Sequence, residues 1–293
     1  MRRAALVLVL AVAPVSLPVA PSPSVIGPPS SQVPPEAFSA DAAFDHVRRL
    51  AGRIGPRPAG SAAYRRAVRY VRDEFDELGY ETTLLGFRLP QGGRSRNVVA
   101  TAGADAPVRL LIGAHLDTVS GSPGGNDNAS GVAVLLEVAR QVAGSASAAG
   151  LALVTFGAEE FQPVGGHHIG SDAYVDRMSA AERNTLELMV SVDMIGKPRP
   201  LITGWLRGTA PRAARELARA ARASGSRASV RALGDISDHG PFALAGMPAA
   251  FLWTGFEPNH HEPTDVVRNV AHRALRRSGA TLLVLIDRVL NPT

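Results

Sequence analysis

A chain of 293 residues with 45% hydrophobic and 19% charged residues can bury a full core, which excludes a disordered chain and makes one large domain the first expectation. Its formal net charge is +5, too small, and too interleaved with Asp and Glu along helical stretches, to indicate nucleic-acid binding. There is no cysteine, so disulfides and thiolate ligands are excluded, and His, Asp and Glu remain as the strong ligating side chains.

In chain order, MRRAALVLVLAVAPVSLPVA (1–20) runs from two arginines through an apolar stretch to small residues and prolines, the order of a secretory signal peptide. Its apolar run is shorter than the ~20 residues of a spanning helix and is broken by Pro14 and Pro18. The expectation is therefore a secreted protein with no stable membrane association after cleavage. Residues 21–36 are rich in Pro and Ser without hydrophobic period and read as an extended linker, so the folded domain is expected over 37–293. DAAFDHVRRLAG reads as a short amphipathic helix. AAYRRAVRYVRDEFDELGY carries Ala, Val, Val and Phe at spacings of three and four, with Gly60 and Ser61 as its start signal.

The pattern then changes. NVVAT (97–101), VRLLIGAH (108–115), LALVTFGA (151–158), LELMVSVDM (186–194) and PAAFLW (248–253) are short apolar runs that favour strands. They alternate with helical segments at 130–144, 209–224 and 270–290. The fold class this predicts is α/β: a single domain whose central mixed, mostly parallel sheet is flanked by helices on both faces.

Polar residues gather where the apolar runs end, and in an open α/β sheet the carboxyl ends of the strands line the ligand crevice. One strand ends in His115, with Asp117 two residues on; another runs into Glu159 and Glu160; a third ends in Asp193. GGNDNASG places Asp127 just before the helix at Ser130, and NHHEPTD supplies His260, His261 and Asp265. Taken singly, each has an ordinary explanation: a strand-end histidine is usually a hydrogen-bonded rim residue, paired glutamates are usually solvated, and Asp127 or Asp193 can serve as a cap or turn residue. Together they are harder to dismiss. Several separate segments bring carboxylates and imidazoles to one sheet edge, and a divalent cation is the simplest compensation for their mutual repulsion. Imidazole mixed with carboxylate suits zinc, or cobalt or manganese, and a shared carboxylate can span two ions.

HLD, GGNDNASG, GAEE, SVDM and HHEPTD, in that order and at these separations, resemble metallopeptidase family 28, the type of secreted bacterial leucyl aminopeptidases and aminopeptidase Y. IGPRPAGSAAYRRAVRYVRDEFDELGYE and SDHGPFALAGMPAAFL resemble further segments of that family, so the likeness runs from about Ala37 to the end. The resemblance implies the zinc-exopeptidase fold and two Zn2+ ions, with His115 and Asp193 on one, Glu160 and His261 on the other, and Asp127 bridging. It makes Glu159 the general base and Asp117 the orienter of His115, with Asp265 acting likewise on His261, and it implies a cis peptide between Asp127 and Asn128. The implied reaction is hydrolysis of the first peptide bond of substrates with a free N-terminus. A zinc carboxypeptidase or glutaminyl cyclase on the same scaffold, or a binding homologue without activity, are the alternatives. The chain departs from the family at two places. His260 stands where several members have a carbonyl-polarising tyrosine, and it either substitutes as a donor to substrate or points away. His167 and His168 lie on a longer loop after the glutamates and are expected to be exposed rim residues.

Overall fold

The computed structural model describes residue 34 and residues 37–103, 106–160 and 166–292. The expected signal segment and nearly all of the expected linker lie outside the described residues. No helix among the described residues is long and apolar enough to cross a membrane.

The strands are β1 (Glu81–Arg88), β2 (Arg94–Thr101), β3 (Leu110–His115), β4 (Leu151–Phe156), β5 (Leu188–Val192), β6 (Leu201–Leu206), β7 (Ala228–Leu233) and β8 (Ala249–Trp253). They form one mixed sheet in the order β1-β2-β4-β3-β5-β8-β6-β7. The central ladder β4-β3-β5-β8 is parallel throughout, as is β6-β7, while β1-β2, β2-β4 and β6-β8 are antiparallel. Every residue of β3, β4, β5 and β8 is buried, as expected of parallel strands covered on both faces.

The helices are α1 (Ala40–Val47), α2 (Ala62–Glu77), α3 (Ser130–Val142), α4 (Ile169–Arg177), α5 (Ala180–Thr185), α6 (Arg212–Ala223), α7 (His239–Leu244) and α8 (His272–Leu290). The period-2 alternation of the strands divides them between two cores. Leu110, Ile112, Leu151, Leu153, Leu188, Val190, Ala250 and Leu252 pack with α1, α2, α3, α6 and α8. Leu111, Ala152, Val154, Met189 and Ala249 pack with Val175 of α4 and Phe242 of α7. Helices on both faces are thus the direct result of strands that alternate residue by residue.

Local signals account for the helix starts. Ser61 accepts a hydrogen bond from the Tyr64 N–H at 3.0 Å, capping α2 where the sequence places its start. At α3 the cap is Asn128, whose Oδ1 accepts from the Gly131 N–H at 2.9 Å. Asp127 is therefore free of the capping role open to it from sequence. The Asp127–Asn128 peptide is cis.

Candidate metal centre

Parallel pairing of β3 with β4 and β5, and of β5 with β8, brings their carboxyl ends to one edge. His115 closes β3, Asp193 follows β5, Glu159 and Glu160 follow β4, and the loop after β8 carries His260 and His261. The buried turn at Gly125–Ala129 lifts Asp127 into their midst.

Asp127 faces two ways. Its Oδ1 lies 3.0 Å from His115 Nε2, and its Oδ2 lies 3.3 Å from His261 Nε2 and 3.3 Å from His260 Nε2. On the first side, His115 Nε2 is also 3.3 Å from Asp193 Oδ1. On the second, His261 Nε2 is 2.9 Å from Glu160 Oε2. Two donors on one tetrahedral zinc, each ~2.0 Å from it, sit about 3.3 Å apart. The separations of 2.9–3.3 Å within each group therefore fit zinc, as does a donor set of imidazole and carboxylate without thiolate.

Surrounding hydrogen bonds fix these side chains. His115 Nδ1 lies 3.2 Å from the Asp117 carbonyl oxygen, so an N–H there leaves Nε2 as the ligating nitrogen. The Asp117 carboxylate lies farther from that ring, at 3.9 Å, and accepts instead from the backbone N–H of Glu159 at 3.1 Å and of Glu160 at 3.3 Å. Ser237 Oγ donates to Asp193 Oδ2 at 3.0 Å. Asp265, expected to hold His261, does something else: its two oxygens accept from the Asn126 and Asp127 N–H groups at 2.8 and 2.9 Å. It lies in the sequence near a histidine but serves the turn, because that turn presents two backbone donors with no helical partner.

Electrostatics follow from this crowding. Burial works against the charge on Asp127, yet His115, His260 and His261 outweigh it and hold the carboxyl well below its ordinary range. Burial pushes Glu159 up to about 8, against the pull of His115 and His168. Burial, reinforced by Asp127, raises Glu160 to about 7. Hydrogen-bonding contacts with Asp127 and Glu160 raise His261 to about 10. Of the two adjacent glutamates, then, Glu160 is tied to His261 while Glu159 turns elsewhere.

Sequence reasoning missed three contributors. Arg57 is fully buried and donates to the carbonyls of Leu116 and Pro123, each at 2.7 Å, and of Gly124 at 3.2 Å, pinning the strap between β3 and the Asp127 turn. Its burial lowers the guanidinium to about 10. Asn126 accepts from the Gly196 N–H at 2.8 Å, tying the turn to the segment after Asp193. His168, expected on the rim, is only 2% exposed and lies 3.1 Å from Glu159 Oε1. His167 keeps the expected exposed position. His260 does not point away, since it meets Asp127 and stacks on His261 with ring centroids 3.7 Å apart. The single readable signal for His168 is the unusual His-His pair in a loop leading from the glutamates.

A cavity of about 230 Å3 opens at the cluster, lined by Asp127, Glu159, Glu160 and Asp193 and by the apolar side chains of Met194, Ile236, Phe251, Trp253 and Phe256. The loop bearing the two histidines is anchored to the segment after Asp193: Thr254 Oγ1 donates to the Met194 carbonyl at 2.5 Å, Arg199 donates to the Phe256 carbonyl at 2.7 Å, and Lys197 Nζ lies 3.3 Å from Glu257.

A mixed α/β sheet with imidazoles and carboxylates gathered at the carboxyl ends of its strands defines a class of scaffold with a candidate metal centre at the sheet edge. The chain belongs to peptidase family M28, whose profile matches residues 97–286. It is 31% identical over 248 residues to leupeptin-inactivating enzyme 1 of Streptomyces exfoliatus, a match covering 76% of this chain and 55% of that protein. Among solved structures, a zinc aminopeptidase from Bacillus subtilis superposes with a TM-score of 0.79 at 19% identity, covering 88% of this chain and 96% of that one. A glutaminyl cyclase from Porphyromonas gingivalis superposes with a TM-score of 0.76 at 25% identity, covering 86% and 99%. The match spans 55% of leupeptin-inactivating enzyme 1, 39% of aminopeptidase YwaD of Bacillus subtilis and 18% of an aminopeptidase of Pseudomonas aeruginosa, so the chain covers about half or less of these relatives' length.

Proposed function

We propose that this chain is a zinc aminopeptidase that holds two ions, one between His115 and Asp193 and one between Glu160 and His261, with Asp127 shared. The observation that carries this reading is the division of Asp127 itself, one oxygen toward His115 and the other toward His261, at 3.0 and 3.3 Å. When bound, the zinc pair supplies Lewis acidity toward the scissile carbonyl and makes water more acidic. Glu159 takes the proton of the attacking water and returns it to the leaving amine. The acid-rich cluster draws the substrate's free α-amino group, which limits cleavage to the first residue, and the apolar lining of the cavity favours an apolar side chain there. His260, beside Asp127, is positioned to donate toward the substrate carbonyl. The arginine-led apolar segment at 1–20 supports an exported protein.

The test is direct. The purified protein is expected to carry close to two zinc ions, to release amino acids from aminoacyl chromogenic substrates, leucyl above aspartyl, and to lose activity on chelation. Cleavage of N-acetylated substrates but not free ones would overturn the aminopeptidase reading. Ring closure of N-terminal glutamine, with ammonia released and no shortening of the chain, would assign cyclase chemistry instead.

A further inference from the structure

His168 sits at the entrance to α4 with a left-handed backbone, φ 62° and ψ 20°. A non-glycine residue holds that conformation where its surroundings fix it, and such positions gather at functional sites. Here two of its contacts lead back to Glu159. The His168 N–H donates to the Glu159 carbonyl at 3.0 Å, and the next residue, Ile169, donates to the Ala158 carbonyl at 2.9 Å. The side chain returns to the same glutamate: Nε2 lies 3.1 Å from Glu159 Oε1, while Nδ1 lies 3.3 Å from Asp235 Oδ1. Asp235 follows β7 and stands two residues before Ser237, the donor to Asp193. Burial opposes charge on the imidazole, but Asp235 and Glu159 outweigh it and raise it to about 10.

The two oxygens of Glu159 are thereby distinguished. Oε1 faces His168, while Oε2 lies 3.9 Å from His115 Nε2, on the side of the metal ligands. We infer that His168 is a positioning residue for this centre: backed by Asp235, it holds Oε1 of Glu159 so that Oε2 is the oxygen presented to the attacking water. The inference rests on the reading of Glu159 as general base. The His168–Glu159 contact is a close charge pair rather than an aligned hydrogen bond, and contacts of this kind tighten when substrate binds. An oxygen that is already held saves the carboxylate from finding its orientation in each cycle, and a loosely held base is a common cause of lost rate.

The experiment uses the full zinc-loaded protein. His168→Ala is expected to lower kcat about 10- to 100-fold on an aminoacyl substrate, with KM within about twofold and both zinc ions retained in the folded protein. His168→Gln, which keeps an N–H donor, is expected to recover much of that loss. Asp235→Asn should reduce kcat in the wild-type background but add little to His168→Ala, because the two act through one contact. An unchanged kcat in His168→Ala, a change confined to KM, or a loss of zinc in that variant would each overturn the inference. A second readout does not depend on activity. With histidine labelled by 15N, replacing Glu159 by Gln should shift the Nε2 resonance of His168, and replacing Asp235 by Asn should shift the Nδ1 resonance. No response at Nε2 refutes the contact. Both shifts in the two variants, together with a wild-type protein that releases no amino acid, would refute the proposed activity and leave the contact standing.

Discussion

Asp265 shows how a single side chain prepares the centre without belonging to it. Both its oxygens are used by the backbone of Asn126 and Asp127, and burial raises the group to about 6, less than it would without those donors. Asp265→Ala strands two buried N–H groups. It is expected to cost about 2–4 kcal/mol in denaturant unfolding and to weaken zinc binding about 10- to 100-fold in a chelator competition. The glutamate pair gives a sharper contrast at the same scale. Glu159→Ala should keep its zinc and lose turnover, whereas Glu160→Ala should lose metal, because only Glu160 shares a contact with His261. Metal analysis of the two purified variants decides it, and the opposite pattern would mean that the two roles are exchanged. Asp127→Ala should disturb both ions together; selective loss of one would refute bridging.

At the scale of elements, the centre depends on how closely the first turn of α3 approaches the end of β5. A Cβ at Gly131 would come within 2.4 Å of both Asn128 Oδ1 and the Val192 carbonyl oxygen, the atoms that close the turn bearing Asp127. Neither is the free end of a flexible chain, since Asn128 Nδ2 itself donates to Val192 O at 2.8 Å. Gly131→Ala is expected to destabilise the protein by about 1–3 kcal/mol and to lower zinc affinity, measured by thermal unfolding with and without metal. The same elements explain what was legible in the sequence. The apolar runs of β3, β4, β5 and β8 are readable because parallel strands covered on both faces are apolar throughout, and the polar residues at their ends stand out against them. β1, β6 and β7 escaped the pattern: β1 and β7 are the sheet edges, and β7 has no fully buried residue, so their composition is mixed. Arg57 was unreadable for a different reason. Three of its four carbonyl partners, on Leu116, Pro123 and Gly124, lie 59–67 residues away, and no side-chain pattern reports a backbone acceptor.

Across the whole molecule, acid should reveal a group that the catalytic reading does not use. His239 is fully buried and stacks on Phe251 with ring centroids 5.1 Å apart and planes 6° apart. Burial lowers it from 6.5 to about 4, only partly offset by Asp235 and further depressed by His168. A histidine whose folded pKa lies below its unfolded one contributes stability that is complete above pH 6.5 and is lost as pH falls toward and through 4. At ~1.4 kcal/mol per unit, that contribution is roughly 3 kcal/mol. Asp238 works in the opposite direction: burial raises it from 3.8 to about 6, so its contribution is complete below 3.8 and is lost as pH rises through 6. The two windows overlap, and the wild-type curve alone will look flatter than either. The difference between wild type and His239→Leu removes the shared terms. Measured by denaturant unfolding, that difference should be constant above pH 6.5 and move by roughly 3 kcal/mol in favour of the variant by pH 4. A difference that stays level across this range would show that His239 titrates alike in the folded and unfolded chain, and any acid sensitivity would then have to come from a group held below its ordinary range, as Asp127 is, because the carboxyls that burial raises favour the folded state in acid.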